Sequence, residues 1–116
     1  MKTTITARHF KAPEKLRKYA ENEVMRLGRF FDKIIDCDII LDYVKANNSK
    51  HSAEINMKVY GQILSVSVMS DDMFKSIDQA VKKLERQLKK YKGRLRSFKN
   101  EKAVQYVVED RFLEEE

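Results

Sequence analysis

The chain reads as an α+β domain with the order β-α-β-β-β-α, two helices packed on one face of a four-stranded sheet. Three observations predict it: two stretches of helical hydrophobic period, four short stretches of alternating period, and cationic rows confined to the helical stretches. The opening residues alternate Met1, Thr3, Ile5 and Ala7 against Lys2, Thr4, Thr6 and Arg8, which makes a short strand with one apolar face. From Pro13 to Lys33 the period changes, and Leu16, Ala20, Val24, Leu27 and Phe31 form a helical stripe. No side-chain oxygen at Lys11, Ala12 or Pro13 caps that helix, although Pro13 suits a first-turn position. Three strand-like runs follow at residues 34–44, 52–60 and 63–70. A loop over residues 45–50 joins the first two, and Gly61 with Gln62 makes a tight hairpin between the second and third. These three are antiparallel neighbours, whereas the helical crossover makes the first pair of strands parallel. The last helix starts after Asp71 or Asp72, either of which can accept hydrogen bonds from its free amides.

That last helix carries the strongest pattern in the chain. Ile77, Val81, Leu84, Leu88, Tyr91 and Leu95 recur at steps of four and three and stay within about 80° of a helical wheel. On the opposite side Lys75, Lys82, Arg86 and Lys89 fall within about 60°, with Lys83, Lys90 and Arg94 as a second row. Residues 75–99 hold ten Lys or Arg against two acids, Asp78 and Glu85, a local charge of +8 in a chain whose total is +6. The first helix presents a narrower basic row of Lys15, Lys18, Arg26, Arg29 and Lys33. Like charges at i,i+4 destabilise a helix, so such rows point to a polyanionic counter-surface. Lysine and arginine rows supply position and counterion release without a sequence code, and a helical surface without a strip of aromatics suits structured RNA better than single strands.

The bulk composition bounds the rest. At 116 residues, 42% hydrophobic and 36% charged, the chain is one soluble domain, expected to be cytoplasmic. No apolar run approaches the ~18 residues of a membrane span, and the Thr-rich start lacks a signal-peptide core. Cys37 lies on the apolar side of a strand with Ile39, Leu41 and Tyr43, as a packed thiol. His9 and His51 have no partner at metal-ligand spacing, and Gly28, Gly61 and Gly93 make no phosphate loop. Asp36, Asp38 and Asp42 alternate on the wet face of a strand. No enzyme, cofactor, metal or small-molecule substrate is expected. The domain is assigned to residues 1–97, and residues 98–116, mostly acidic from Glu109 on, to a flexible acidic tail.

The element order resembles a double-stranded RNA-binding domain with an extra leading strand. The run Asp71-Asp72-Met73-Phe74-Lys75-Ser76-Ile77-Asp78, with residues 83–92 (Lys83-Leu84-Glu85-Arg86-Gln87-Leu88-Lys89-Lys90-Tyr91-Lys92), resembles the signature of the ribosome hibernation promoting factor and ribosome-associated inhibitor family. Ile5-Thr6, Arg26-Leu27 and residues 30–34 agree with it, and the acidic ending is similar to that of the short inhibitor type. The resemblance implies a non-enzymatic stress or stationary-phase factor that binds small-subunit ribosomal RNA in the channel for mRNA and tRNA and inhibits translation. It implies RNA contacts from Lys82, Lys83, Arg86, Lys89, Lys90, Lys92, Arg26 and Arg29, to which the basic row adds Lys18 and Lys33. A monomer is expected when free. Two other classes fit the charge: a structured-RNA-binding module or RNA chaperone acting away from ribosomes, and a protein-interaction domain for an acidic partner. Pro13 and Gly28 depart from the family pattern at places that touch helix stability.

Overall fold

The structure, a computed structural model, describes residues 1–45 and 50–100, the side chains of 95–100 apart. Its elements are β1 (Lys2–Arg8), α1 (Glu14–Phe30), β2 (Ile34–Val44), β3 (Lys50–Val59), β4 (Gln62–Ser70) and α2 (Met73–Asn100). The sheet order is β1-β2-β3-β4, with β1 parallel to β2 and the other pairs antiparallel, as the sequence predicts. Both helices lie on one face, where a single core buries Leu16, Ala20, Val24, Leu27 and Phe31 of the first against Ile77, Val81, Leu84, Leu88 and Tyr91 of the second. The sheet contributes alternate residues: Cys37, Ile39 and Leu41 from β2, Ala53, Ile55, Met57 and Val59 from β3, and Leu64, Val66 and Val68 from β4. The side chain of Leu95 and the loop asparagines Asn47 and Asn48 lie outside what the structure describes, as does the acidic segment past Asn100.

The structure departs from the sequence reading at the start of β3, which begins at Lys50 and not at residue 52, and in three further places that each have a local reason. The first helix stops at Phe30, three residues short, because Phe31 turns extended (φ −142°, ψ 113°) while its N–H still closes the last turn on Leu27 O at 2.9 Å. Lys33 is therefore on the link to β2 and not on α1. The hairpin between β3 and β4 turns on Tyr60-Gly61, one residue earlier than expected: Gln62 already pairs with Val59, and Gly61 takes φ +89°, which a side chain would resist. In β2 the register slips between Ile34 and Asp36, so Ile35 is an extra residue and points outward, 52% exposed. That bulge lets Ile34 and Cys37, three apart, both face the core.

Capping follows the side chains available. Pro13 precedes α1 without a side-chain cap, and its carbonyl accepts from Leu16 and Arg17 N–H, each at 3.1 Å. Asp72 caps α2, its carboxylate accepting from Lys75 N–H at 3.1 Å, while its carbonyl accepts from Ser76 N–H at 2.9 Å. A carboxylate in that position also answers the positive end of the helix dipole, where the first turn itself holds no acid.

Burial pushes the Cys37 thiol up from 9.0 to about 12, with Asp38 and Asp36 adding to the shift. Tyr19 rises from 10.0 to about 12, first because its hydroxyl donates to Asp78 and then through desolvation. In both cases the native state favours the neutral form. Their contribution is complete below the unfolded values and is lost as pH climbs to the folded ones. The urea midpoint should therefore fall between pH 9 and 12. Cys37→Ala should remove the part of the fall that begins near pH 9, and a fall of unchanged onset would refute the assignment. Native protein should also resist thiol alkylation at pH 8 and label once unfolded.

Candidate nucleic-acid interface

The core contacts of α2 fix its rotation, and the rotation sorts its polar residues into three longitudinal strips. Toward α1 lie Asp78, Glu85 and Lys92. Asp78 accepts the Tyr19 hydroxyl, and Glu85 attracts the Arg26 guanidinium across the seam between the helices. Lys92 donates to Phe30 O at 3.2 Å, and its ammonium sits 4.4 Å from the centroid of the Phe30 ring. Away from the core lie Lys75, Lys82, Arg86 and Lys89, all exposed. Toward β4, Lys83, Arg86, Lys90 and Arg94 line a groove of about 370 Å³, floored by Leu64, Val66 and Tyr91 and edged by Ser65 and Ser67.

Both acids of the +8 stretch are thus drawn into or beside the helix seam, and the outer strip of α2 is left cationic. A sequence wheel shows that Asp78 and Glu85 are few. Only their partners on α1 show why they are tolerated. Tyr19 further packs edge-on against Phe74, with ring centroids 5.0 Å apart, so the seam is fastened by an aromatic pair as well as by the Asp78 hydrogen bond.

Of the ten predicted contact residues, nine are on helices and Lys33 is not. Lys82, Lys83, Arg86, Lys89 and Lys90 share the exposed side of α2, with Arg26 and Arg29 exposed on α1. Among the described residues three of them make ion pairs: Lys18 with Glu14 at 3.4 Å, Arg26 with Glu23 at 2.5 Å, and Lys89 with Glu85 at 3.8 Å. Glu23 and Glu85 hold Arg26 strongly protonated, its pKa raised first by the Glu23 hydrogen bond. Exposed pairs of this kind are worth about 0–1 kcal/mol, little enough for a phosphate to replace the carboxylate. Among the described residues no carboxylate is in salt-bridge range of Lys82, Lys83, Arg86 or Arg29. Lys92 is the member whose position changes its meaning: it is half-buried and ties the C-terminal end of α1 to α2. The carbonyl it binds is among the last of α1, an acceptor that the helix itself leaves unpaired.

Among the described residues there is no group of three or more His, Cys, Asp or Glu able to hold a metal. His9, at φ 66°, sets its Nδ1 2.8 Å from Asp42 at the end of β1, and His51 packs edge-on against Tyr43. No helix among the described residues is long and apolar enough to cross a membrane.

A family model described as Sigma 54 modulation protein / S30EA ribosomal protein matches residues 3–96. The chain belongs to this family. A ribosome hibernation promoting factor from Acidithiobacillus ferridurans is 27% identical over 78 residues, which is 67% of this chain and 100% of that protein. A ribosome hibernation promotion factor from Deinococcus radiodurans is 32% identical over 78 residues, 66% of this chain but only 41% of that longer protein. Among solved structures, a ribosomal subunit interface protein from Coxiella burnetii superimposes with a TM-score of 0.73 at 31% identity, over 80% of this chain and 99% of its own. The S30EA match spans β1 through most of α2 and so contains both basic helices.

Lys92 and the outer lysines separate by experiment. Lys92→Met should lower unfolding stability by roughly 1 kcal/mol, the scale of one cation–π contact plus one charged hydrogen bond. Lys82→Met, which loses no partner among the described residues, should leave stability within about 0.5 kcal/mol. Urea titration of the two variants measures this, and equal effects would refute the structural role given to Lys92.

Proposed function

We propose that this family member is a ribosome hibernation factor: it lodges on the small ribosomal subunit, in the channel for mRNA and tRNA, and inhibits translation under stress or in stationary phase. The observation that carries the reading is the joint outward face of α1 and α2, where Lys82, Lys83, Arg86, Lys89 and Arg29 are exposed while both acids of α2 turn toward α1. A rigid cationic surface of two neighbouring rods meets phosphates of a folded RNA at several points at once, and the counterions it releases supply the affinity. The names of the relatives, hibernation promoting factor and ribosomal subunit interface protein, support the ribosome as the particle that offers those phosphates. Inhibition in this reading is steric. A domain held where the message and tRNA must pass needs no chemistry, which agrees with a face built of charge and no catalytic group, and it places the protein in the cytoplasm.

Replacing Lys82, Arg86, Lys89 and Lys90 together by Glu should abolish cosedimentation with ribosomes and relieve inhibition in a translation assay, with the circular dichroism spectrum unchanged. Neutralising the same four should lower the slope of log affinity against log salt by about three, at ~0.7 to 0.9 per phosphate contact. Unchanged cosedimentation of the Glu variant would sink the assignment of the face. Equal affinity for free duplex RNA and for ribosomes, without effect on translation, would favour a general RNA-binding module.

A further inference from the structure

An acid four residues before a lysine on a helix is placed to pair with it. The two helices, counting Asp71 just ahead of α2, hold four such steps: Glu14 to Lys18, Asp71 to Lys75, Asp78 to Lys82 and Glu85 to Lys89. Three of them close, at 3.4, 3.8 and 3.8 Å. The step from Asp78 to Lys82 does not: Lys82 is exposed, and among the described residues no carboxylate lies in salt-bridge range of it. What sets Asp78 apart is its partner on α1, because its carboxylate accepts the Tyr19 hydroxyl. We propose that Tyr19 is a positioning residue of the cationic face: its hydroxyl holds Asp78 in the seam and so keeps the Lys82 ammonium for a phosphate of the bound RNA.

The hydroxyl prevails over the ammonium for two reasons. A phenol that donates to a carboxylate makes a charge-assisted hydrogen bond, and in a half-buried seam this bond is screened less than an ion pair on the open side of a helix. The donor is also fixed in advance. The Tyr19 ring packs edge-on against Phe74, with centroids 5.0 Å apart, so little side-chain freedom is lost when the bond forms. The phenolic proton is held accordingly, with the Tyr19 pKa pushed up to about 12, first by the hydrogen bond to Asp78.

The helices run side by side in one direction, with Tyr19 against Asp78 near their starts and Phe30 against Lys92 near their ends. Tyr19 therefore meets α2 one turn before Lys82, at the level where an acid of α2 would otherwise turn to that lysine. Without the hydroxyl, Asp78 falls back on the ammonium four residues along its own helix, as Asp71 and Glu85 do. One cation of the outer strip is then neutralised from within. The inference rests on the reading of this face as a surface for polyanions, and adds to it an uncharged side chain of α1 that sets the charge α2 presents at Lys82.

Tyr19→Phe in the full-length chain tests this, since it removes the hydroxyl and keeps the ring. With an unchanged circular dichroism spectrum, it should bind ribosomes about 3-fold more weakly in low salt, and the slope of log affinity against log salt should shrink by up to ~0.9, one phosphate contact. In an Asp78→Asn background, and again in a Lys82→Met background, the same substitution should change affinity by no more than about 1.5-fold, because each removes one member of the pair that Tyr19 keeps apart. Elution from immobilised heparin should show the same order without ribosomes. A loss of equal size in all three backgrounds would make Tyr19 a prop of the helix pair only and overturn the proposal, and so would no loss in the natural background. If the natural chain fails to bind ribosomes, the proposed function falls, and the heparin order still decides the role of Tyr19.

Discussion

Everything on the outer surface depends on how α2 is seated. Five apolar side chains, Ile77, Val81, Leu84, Leu88 and Tyr91, are each no more than 2% exposed and lock the helix against β3 and β4. Burying them is worth on the order of 1.5–3 kcal/mol apiece, far more than the fractions of a kcal/mol by which neighbouring lysines repel. The apolar seam therefore decides the rotation, and the cations take whatever direction is left. Tyr91 adds a second constraint. Its hydroxyl donates to Tyr60 O at 2.6 Å and its ring meets Phe31 edge-on, so one residue fixes α2 to the β3–β4 hairpin and to the end of α1. Desolvation raises its pKa, so the phenol stays a donor at neutral pH.

The seam between the helices completes the arrangement. Had Asp78 and Glu85 pointed outward, each would have cancelled a lysine of the exposed strip. Asp78 is held by Tyr19, and Glu85 is shared between Arg26 and Lys89. The effect is selective: acids stabilise the pair of helices from the side, where they also relieve repulsion along α2, and the top stays positive. At ~10 Å screening in 0.1 M salt, charges at the seam still lower the field above it somewhat, but among the described residues no carboxylate is in salt-bridge range of Lys82 or Arg86 on the exposed strip.

Much of this was legible in the sequence because it rests on period. The α2 seam, the α1 stripe and the β3 alternation are each repeated four or more times, and repetition survives local irregularity. The element order and the parallel β1–β2 pair follow from them and from the rule of hand. What period could not reveal depends on single residues and on the other half of a contact. The bulge at Ile35 shifts parity by one residue and can be seen only once β3 is laid beside β2. The end of α1 at Phe30 follows from the need to bury both Phe31 and Ile34 while the chain turns into the sheet. Lys92 reads as one more lysine in a basic row until the C-terminal end of α1 is brought beneath it. A signal was present there, since Lys92 falls on the same side of the wheel as Glu85 and Asp78, but it has meaning only when the neighbour is known.

The face of the sheet turned away from the helices explains why the charge asymmetry has a direction. Along β2 it carries Asp36, Asp38 and Asp42, and Glu54 of β3 pairs in register with Ile40 beside them. These are not idle: Thr4 of β1 donates to Asp38 of β2 at 2.7 Å and Ser65 of β4 donates to Asn56 of β3 at 2.7 Å, each across a strand pair, and Asn56 donates to Glu54 within β3 at 3.2 Å. Such cross-strand bonds let the face stay wet and need no cover. The same face also carries Lys2 and Arg8 of β1, in register with Asp36 and Asp42, and Lys50 and Lys58 of β3, so its charges balance while the helix side keeps the excess of positive charge. That asymmetry, a balanced sheet face behind a cationic helix side, turns the helices toward the more negative side of any external field.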